Sequence, residues 1–226
     1  MTKVSVVMPC RNEEASVGVC IEKAKKSLQR LGLDGKIIVV DNNSTDDSKK
    51  VAEKAGAIVV KQPVDGYGAS CIAGLNAAKG DYIILADSDN TYDFLEMWKF
   101  IDALKEGNDL VIGSRFRGKM EKGSMKILHR YIGNPFLNFV FNLLFDSGFT
   151  DTHCGFRAFR RGAFERLALK EQGMEFALET LINAGKKDLK IGEMPVNYYK
   201  RMGVSKLNSF RDGFGHLFFM VRRRFA

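Results

Sequence analysis

The sequence predicts an α/β fold in which a mostly parallel, twisted sheet carries helices on both faces. Short apolar runs rich in β-branched residues alternate with helical segments, an order that is typical of parallel sheets. Acidic and small polar residues follow the first four runs, and ligands of such folds bind at the carboxyl ends of the strands. The predicted strands are 4–8, 36–40, 58–61, 82–86 and 110–113, and the predicted helices are 14–31, 46–55, 68–79 and 94–106.

Each of the first four predicted strands leads into a polar loop and then a helix. In chain order the strand and loop pairs are VSVVM with PCRNEE, KIIVV with DNNSTDD, IVVK with DGYG, and YIILA with DSDN. Asp, Asn or Ser precedes several helices as a plausible cap, and the fifth strand, LVIG, follows the fourth helix. Because the carboxyl ends of parallel strands meet at one edge of a sheet, we expect these loops to form one ligand site.

The composition indicates an ordinary globular protein. Its 226 residues, 45% hydrophobic and 27% charged, suffice for a sizeable core, and no internal repeat or Pro/Gly/Ser-rich linker divides the chain. The cysteines Cys10, Cys20, Cys71 and Cys154 lie far apart, without a Cys-x-x-Cys pair. This spacing argues against a disulfide framework and a zinc site, so we expect reduced thiols in a cytoplasm.

An excess of basic residues gives the chain a formal net charge of +8, concentrated in residues 115–130 and 200–224. Such clusters indicate an anionic partner, which could be a nucleic acid, a phosphorylated substrate or an acidic lipid. A basic nucleic-acid-binding module is poorly supported, because the basic residues are not interleaved with a stacking array of aromatic residues. We therefore expect no nucleic acid partner.

No stretch reaches the roughly 18 uninterrupted apolar residues of a membrane-spanning helix, and the nearest is 131–145, YIGNPFLNFVFNLLF. On a helix, Asn134, Asn138 and Asn142 would form a narrow polar stripe. The residues turned away from that stripe are Phe136, Phe139, Val140 and Leu143. The pattern suits a helix packed in the core as well as a helix lying in a membrane interface, and the core interpretation is preferred.

Three common ligand-binding motifs are absent. GYGASC follows the third strand, not the first, and has Cys71 where a dinucleotide fingerprint needs its last glycine. Neither a P-loop nor a Gly-x-Ser-x-Gly motif occurs. What remains is the pair Asp87 and Asp89. Because residues two apart at a strand end point the same way, both carboxylates can reach one Mg²⁺ or Mn²⁺ ion, with substrate phosphates completing its shell.

Several segments together resemble a known family. VVMPCRNEE, VVDNNSTDDS, GYGAS and ADSDNTYD are similar to motifs of the inverting nucleotide-sugar glycosyltransferases of the GT-A fold. DTHCGFRAFRR, GMEFALETL and EMPVNYYKRMGVSKLNSFRDG resemble the branch that makes polyprenyl-phosphate sugars, the dolichyl-phosphate mannose and glucose synthases. The resemblance covers nearly the whole chain. It implies one GT-A domain, 1–226, with a nucleotide-sugar-binding half, 1–117, and an acceptor-binding half, 118–226, that carries membrane-facing amphipathic helices.

The resemblance also assigns roles to individual residues. The implied ligands of Mg²⁺ or Mn²⁺ are Asp87 and Asp89. The implied donor-binding residues are Pro9, Arg11, Glu13, Asp41, Asn43, Gly66, Gly68, Asp87 and Ser88. The implied catalytic residues are Asp89, Arg115, Arg201 and Lys206, and the implied partners of the acceptor phosphate are Arg157, Arg201 and Lys206.

Two departures from the family pattern concern the donor. Members that make mannosyl lipids often have a glutamine two residues after the second aspartate as an additional metal ligand, whereas this chain has Thr91. The second strand ends in Asp41 and Asn42, where many relatives have two acids. We expect a UDP-sugar because DNNSTD and DNTYD look more like the glucosyl-type branch, and GDP-mannose stays open.

A phosphate acceptor would explain why no general base stands out. Transfer to a sugar hydroxyl needs a base, for which Glu175 and Glu179 are candidates, whereas a lipid phosphate is already ionised and needs positioning and charge neutralisation. The expected reaction is hexose transfer, with inversion, to a polyprenyl (dolichyl-type) phosphate, and transfer to a soluble sugar hydroxyl is the alternative.

The expected location is the cytoplasmic face of the cell membrane. The acceptor's isoprenoid tail stays in lipid, and residues 122–145, 214–219 and the arginines 222–224 supply apolar area and basic charge for attachment to a membrane surface. The chain is then either a short peripheral enzyme or part of a longer, membrane-anchored form.

Overall fold

The computed structural model of the protein describes residues 2–203 and 209–225, with the side chains of 209–212 left out. Within this part of the chain one sheet has the strand order β3-β2-β1-β4-β6-β5-β7. The strands are β1 Lys3–Cys10, β2 Asp34–Asp41, β3 Ile58–Lys61, β4 Tyr82–Leu85, β5 Leu110–Ser114, β6 Arg157–Arg160 and β7 Ile191–Pro195. β6 runs antiparallel to β4 and β5, and the other neighbouring strands are parallel. The predicted α/β class is confirmed.

Helices connect the strands and cover the sheet. They are α1 Val17–Arg30, α2 Ser48–Lys54, α3 Tyr67–Ala77, α4 Met97–Lys105, α5 Asn134–Phe145, α6 Arg161–Leu167, α7 Phe176–Lys186 and α8 Ser209–Phe225. A short 3₁₀ turn, Phe94–Glu96, precedes α4, and a π-helical turn, His129–Gly133, precedes α5.

The predicted elements of the first half are all present, with shorter helices. For example, α1 begins at Val17 and not at residue 14, because the Glu13 carbonyl accepts the amides of Ser16 and Val17 and closes a turn before the helix. The sequence did not reveal β6 and β7. β6, RAFR, is charged at both ends, and β7, IGEMP, contains glycine and proline, so neither has the pattern of a strand.

Two apolar layers cover the two faces of the sheet. On β1, Val4, Val6 and Met8 pack in the layer that includes α1 and α4, whereas Val7 packs in the layer that includes α3 and α7. Neighbouring residues of a strand point to opposite faces, which explains the division. Because both faces are covered, the polar residues that the strands carry are left at the sheet edge.

Helix α5 buries its polar stripe and exposes its apolar residues. Asn138 donates to the Thr150 carbonyl and accepts from both the N–H and the hydroxyl of Thr152, and Asn142 binds the backbone of Phe149 in the same way. The residues Phe136, Phe139 and Leu143 are 52%, 63% and 71% exposed. The preferred interpretation, an apolar face packed in the core, is therefore wrong. The asparagine amides satisfy backbone groups of the next loop, and these bonds offset the cost of burying them.

Candidate active site

The loops after β1, β2, β3 and β4 meet at one edge of the sheet and line a cavity of about 330 Å³, which we call the strand-end cavity. Of the residues expected to bind the donor, those in its wall are Pro9, Arg11, Glu13, Gly66, Asp87 and Ser88. Cys10, Asn42, Tyr67, Ser70, Asp89, Met174 and Arg201 complete the wall. Because Met174 and Arg201 come from the second half of the chain, both halves form this cavity.

Hydrogen bonds between the loops hold the strand-end cavity in shape. Asn42 donates to two carbonyls in the loop after β3 and accepts from the Gly66 N–H. Ser88 Oγ donates to the Pro9 carbonyl at 2.8 Å, which joins the loops after β1 and β4. The polar groups of the loops are therefore bonded to one another, and the wall is preorganised for a ligand.

Three residues expected to bind the donor lie outside the wall of the strand-end cavity. Asp41 is buried and accepts from the Ser44 N–H, and Asn43 donates to the loop after β3, so both shape loops. At Gly68 a Cβ would lie 2.1 Å from the Glu171 carbonyl oxygen. This glycine is therefore required for close packing of α3 against residues 171–173.

Asp87 and Asp89 stand together at the end of β4, in the wall of the strand-end cavity. Burial, and then the neighbouring Asp89 carboxylate, raise the pKa of Asp87 to about 7. Asp89 Oδ1 accepts from the N–H and the hydroxyl of Thr91, the latter at 2.6 Å. Thr91, at the position where related enzymes have a metal-binding glutamine, thus uses its proton to orient Asp89.

The carboxylate pair fits a hard divalent cation. Among the residues that the structure describes, no group of three or more His, Cys, Asp or Glu side chains could hold a metal ion. An ion here would therefore have Asp87 and Asp89 as its carboxylate ligands, and Mg²⁺ or Mn²⁺ is commonly held by one or two carboxylates together with substrate phosphates. A cation between the two groups would favour the ionised form of Asp87.

Gly155 leaves room for the Asp87 carboxylate. A Cβ at position 155 would lie 2.7 Å from Asp87 Oδ2 and 3.1 Å from the Tyr67 hydroxyl. The Tyr67 hydroxyl in turn hydrogen-bonds Asp87 and favours its ionised form. Any side chain at position 155 would therefore displace the carboxylate or break its contact with Tyr67.

Gly155→Ala is expected to lower the affinity for Mn²⁺ about 10-fold or more, because groups that orient a metal ligand typically contribute 10- to 100-fold. Calorimetric titration of Mn²⁺ in the presence of UDP measures the effect. Gly162→Ala is the matched control, since nothing lies within 4 Å of a Cβ built there. Unchanged Mn²⁺ affinity in a folded Gly155→Ala protein would contradict the contact's importance.

Arg201 bridges two sides of the strand-end cavity. Its Nη1 lies 2.9 Å from Asp89 Oδ2, and its Nη2 pairs with Glu13. This guanidinium therefore lies beside the carboxylate pair, where a diphosphate would need neutralising charge. Lys206, expected to act with Arg201, lies outside the residues that the structure describes.

A second cavity of about 350 Å³ lies beside the first, and we call it the helix-side cavity. Its basic residues are Arg115, Lys126 and Arg201, all three histidines of the chain line it, and Phe136, Leu137, Phe214 and Leu217 are among its apolar residues. Arg115, expected as a catalytic residue, is held here by Asp151 and lies with its Cζ 5.3 Å from the centre of the Tyr198 ring. The cavity thus combines positive charge with an apolar wall.

Arg157, expected at the acceptor phosphate, is not in the wall of either cavity. Its side chain is buried and donates to the carbonyls of Thr152, Cys154 and Ala177. The structure corrects the expectation: this guanidinium fastens backbone segments to each other, and burial without a cavity keeps it from a substrate phosphate.

The two glutamates considered as general bases are also placed elsewhere. Glu179 is buried and accepts from the backbone N–H groups of Lys170 and Glu171, so it anchors the segment against which α3 packs. Glu175 lines neither the strand-end nor the helix-side cavity. Neither carboxylate is positioned to take a proton from an acceptor in the helix-side cavity.

The two cavities share a wall formed by Asp89, Met174 and Arg201. Ligands bound on its two sides would meet beside the paired aspartates. The sequence did not single out Met174, Tyr67 or Tyr198, although each stands within or beside a motif that resembled the family. Nothing local distinguishes these side chains, because their role depends on segments that meet only in the folded chain.

An exposed apolar surface extends along α5 and α8, which pack against each other. Its residues are Ile127, Leu128, Tyr131, Ile132, Phe136, Phe139, Leu143, Phe214, Phe218, Val221 and Phe225. The basic residues Lys126, Arg222 and Arg224 are exposed beside it. Phe136 and Phe214 also line the helix-side cavity, so the apolar surface reaches its mouth. Within the described ranges no helix has the length and apolar character needed to cross a membrane.

A seven-stranded α/β sheet with an Asp-x-Asp pair at a central strand end, between two cavities, defines a glycosyltransferase of the GT-A fold. The chain belongs to glycosyl transferase family 2, whose family model matches residues 5–168. The family recognised from the motifs is therefore confirmed, and with it the expectation of a transferase.

Relatives in Haloferax volcanii are similar over most of this chain. The low-salt glycan biosynthesis hexosyltransferase Agl6 is 41% identical over 96% of the chain, which spans only 53% of that protein. The glycosyltransferase AglJ is 35% identical over 83% of the chain, which spans 62% of its length. A dolichyl-phosphate hexose transferase is 31% identical over 93% of the chain and 89% of its own length.

Solved structures of glucosyl-3-phosphoglycerate synthase from Mycobacterium tuberculosis share the fold. The complex with phosphoglyceric acid superposes with a TM-score of 0.77 at 22% identity, covering all of this chain and 81% of the other. A complex with Mn²⁺, UDP-glucose and phosphoglyceric acid has a TM-score of 0.73 at 22% identity, again over the whole chain and 80% of the other. At this identity the likeness establishes the fold.

Proposed function

We propose that the protein transfers a hexose, with inversion, from a nucleotide sugar to a polyprenyl phosphate at a membrane surface. The donor, a UDP-sugar in preference to GDP-mannose, binds in the strand-end cavity, and the acceptor phosphate binds in the helix-side cavity. The observation that carries the proposal is the wall of Asp89, Met174 and Arg201 that the cavities share. It is supported by relatives named as a hexosyltransferase and as a dolichyl-phosphate hexose transferase.

On the donor side, Asp87 and Asp89 hold Mg²⁺ or Mn²⁺. The ion neutralises the donor diphosphate and makes it a better leaving group. Arg201 adds a second positive charge beside Asp89. Support for the metal comes from the carboxylate pair itself and from the fold relatives solved with Mn²⁺ or Mg²⁺ and UDP.

On the acceptor side, Arg115, Lys126 and Arg201 surround the phosphate with positive charge. The isoprenoid chain leaves the cavity past Phe136 and Phe214, which are both exposed and in the wall. A cavity that is basic within and apolar at its mouth suits a phosphate attached to a hydrocarbon, because each part of the acceptor meets a complementary surface.

The transfer is a single displacement. An oxygen of the acceptor phosphate forms a bond to the anomeric carbon while the bond from that carbon to the donor diphosphate breaks, and the nucleoside diphosphate leaves. An α-linked donor therefore yields a β-linked product. Since the attacking phosphate is already ionised, no proton has to be removed, and the protein contributes positioning and neutralisation of two anionic substrates.

The exposed apolar surface along α5 and α8 attaches the protein to the cytoplasmic face of the membrane. Stable surface attachment usually needs two signals, and the surface supplies buried apolar area while Lys126, Arg222 and Arg224 supply charge for anionic lipid. Attachment in this orientation would bring the mouth of the helix-side cavity to the lipid headgroups, where the acceptor phosphate lies.

The test is transfer of labelled sugar from UDP-glucose or GDP-mannose into an organic-extractable product. We expect transfer to a polyprenyl phosphate and none to the matching polyprenol, which lacks the phosphate. Label that appears instead on a soluble sugar, or on 3-phosphoglycerate, would favour the soluble-acceptor alternative. A product that keeps the anomeric configuration of the donor would contradict single displacement.

A further inference from the structure

Arg115, in the wall of the helix-side cavity, is held by a buried carboxylate outside the wall. Its Nε donates to Asp151 Oδ2 at 2.6 Å and its Nη2 donates to Asp151 Oδ1 at 2.7 Å. The backbone N–H of Arg115 also donates to Asp151 Oδ2, at 3.0 Å. Asp151 is fully buried and does not line the cavity, whereas Arg115 does. The two-point contact fixes the plane of the guanidinium as well as its place.

The loop that carries Asp151 is itself tied down on both sides of that residue. Asn138 on α5 binds the carbonyl of Thr150 and the N–H and hydroxyl of Thr152. Glu193 on β7 accepts the backbone N–H groups of Thr150 and Asp151. The buried asparagine stripe of α5 therefore holds the loop whose carboxylate orients Arg115.

We propose that Asp151 is a positioning residue that fixes the orientation of Arg115 toward the acceptor phosphate. The inference rests on the proposed function for the identity of that phosphate. A guanidinium has five N–H donors, and Asp151 engages two of them, so donors remain for a phosphate in the cavity. Tyr198, with its ring centre 5.3 Å from the Arg115 Cζ, limits movement on one face of the guanidinium.

A buried ion pair is weak evidence for a stabilising role, because desolvation of both charges offsets much of their attraction. Here one partner has a side chain in the wall of a cavity and the other does not. An orienting role accounts for this asymmetry, since an arginine that must grip a phosphate in one geometry gains from a rigid second contact.

Asp151→Asn keeps the size of the side chain and one acceptor oxygen but loses the two-point contact. We expect kcat/KM for the polyprenyl phosphate to fall about 10²-fold, as misplacement by about 1 Å does, with the KM for the nucleotide sugar nearly unchanged. In an Arg115→Lys background the same substitution should have little further effect, because lysine cannot be oriented by two contacts.

Glu193→Gln is the matched control. It neutralises a carboxylate that binds the same loop and pairs with Arg117 but makes no contact with Arg115. Its effect should be smaller and should add to that of Arg115→Lys. If Asp151→Asn and Arg115→Lys act additively, or if Glu193→Gln reproduces the Asp151→Asn kinetics, Asp151 supports only the fold.

Proton exchange at the Arg115 Nε–H, followed by NMR with ¹⁵N-labelled arginine, tests the contact without any substrate. The signal should exchange slowly in the wild-type protein and in Glu193→Gln, and rapidly in Asp151→Asn. Slow exchange in all three proteins would overturn the inference. If the wild-type protein fails to use polyprenyl phosphate, the proposed function fails separately, and the exchange data still decide whether Asp151 orients Arg115.

Discussion

Asp89→Ala is expected to lower the rate of sugar transfer about 10²-fold or more, because the diphosphate leaving group loses transition-state charge stabilisation. The substitution removes one of the two carboxylates at the end of β4 and also the ion pair with Arg201. Initial rates at saturating donor and acceptor, measured across a range of Mn²⁺ concentrations, report the loss. Excess chelator should have a similar effect on the wild-type protein.

Folding of the Asp89→Ala protein should survive, because the substitution relieves the repulsion that contributes to the raised pKa of Asp87. Asp93→Ala is a suitable control. Asp93 accepts the Leu95 N–H as a helix cap and lines neither cavity, so its loss should cost about 1 kcal/mol of stability with little effect on turnover. Near-normal turnover in Asp89→Ala, or wild-type activity undiminished by chelator, would exclude the metal role.

Replacing Phe136, Phe139 and Leu143 together by serine is expected to weaken binding to liposomes of acidic lipid about 10²-fold or more. A fully buried side chain of this size contributes about 1.5–3 kcal/mol, so partial burial of three such side chains exceeds the ~2.7 kcal/mol that corresponds to 10²-fold. Cosedimentation with liposomes at low and high salt measures both contributions. The apolar part should persist when salt screens the basic residues.

The triple variant should keep its melting temperature, because all three side chains are exposed on α5. Trp98→Ser with Val19→Ser is the matched control, since these exposed apolar residues lie on α4 and α1, outside the apolar surface. Their loss should leave liposome binding intact. If the triple variant unfolds, the outer face of α5 serves the fold. If the wild-type protein ignores liposomes, the membrane proposal is wrong.

The first half of the chain could be interpreted from its sequence because its signals are local. Strand runs with polar loops at their ends are set by side-chain periodicity and turn chemistry, which act between near neighbours. The Asp-x-Asp motif is local in the same sense. Consequently the α/β class and the meeting of four loops at one edge followed from the residues alone.

The second half was harder, because its roles depend on which segments meet. The stripe of α5 could face inward or outward, and the loop containing Thr150 and Thr152 decided it by binding Asn138. Likewise an arginine in a family motif can bind a substrate or hold the backbone. Arg157 does the latter because three carbonyls surround its guanidinium.

By itself, then, the sequence determined the α/β class, the family, the strand-end loops and the pair of aspartates, since each depends on periodicity or on residues a few positions apart. Only the tertiary structure decided that Asp89, Met174 and Arg201 separate two cavities, that Asp151 holds Arg115, and that α5 turns its apolar side outward. These contacts join segments far apart in the chain. They are selected by burial and hydrogen-bond satisfaction across the whole fold, which no local pattern records.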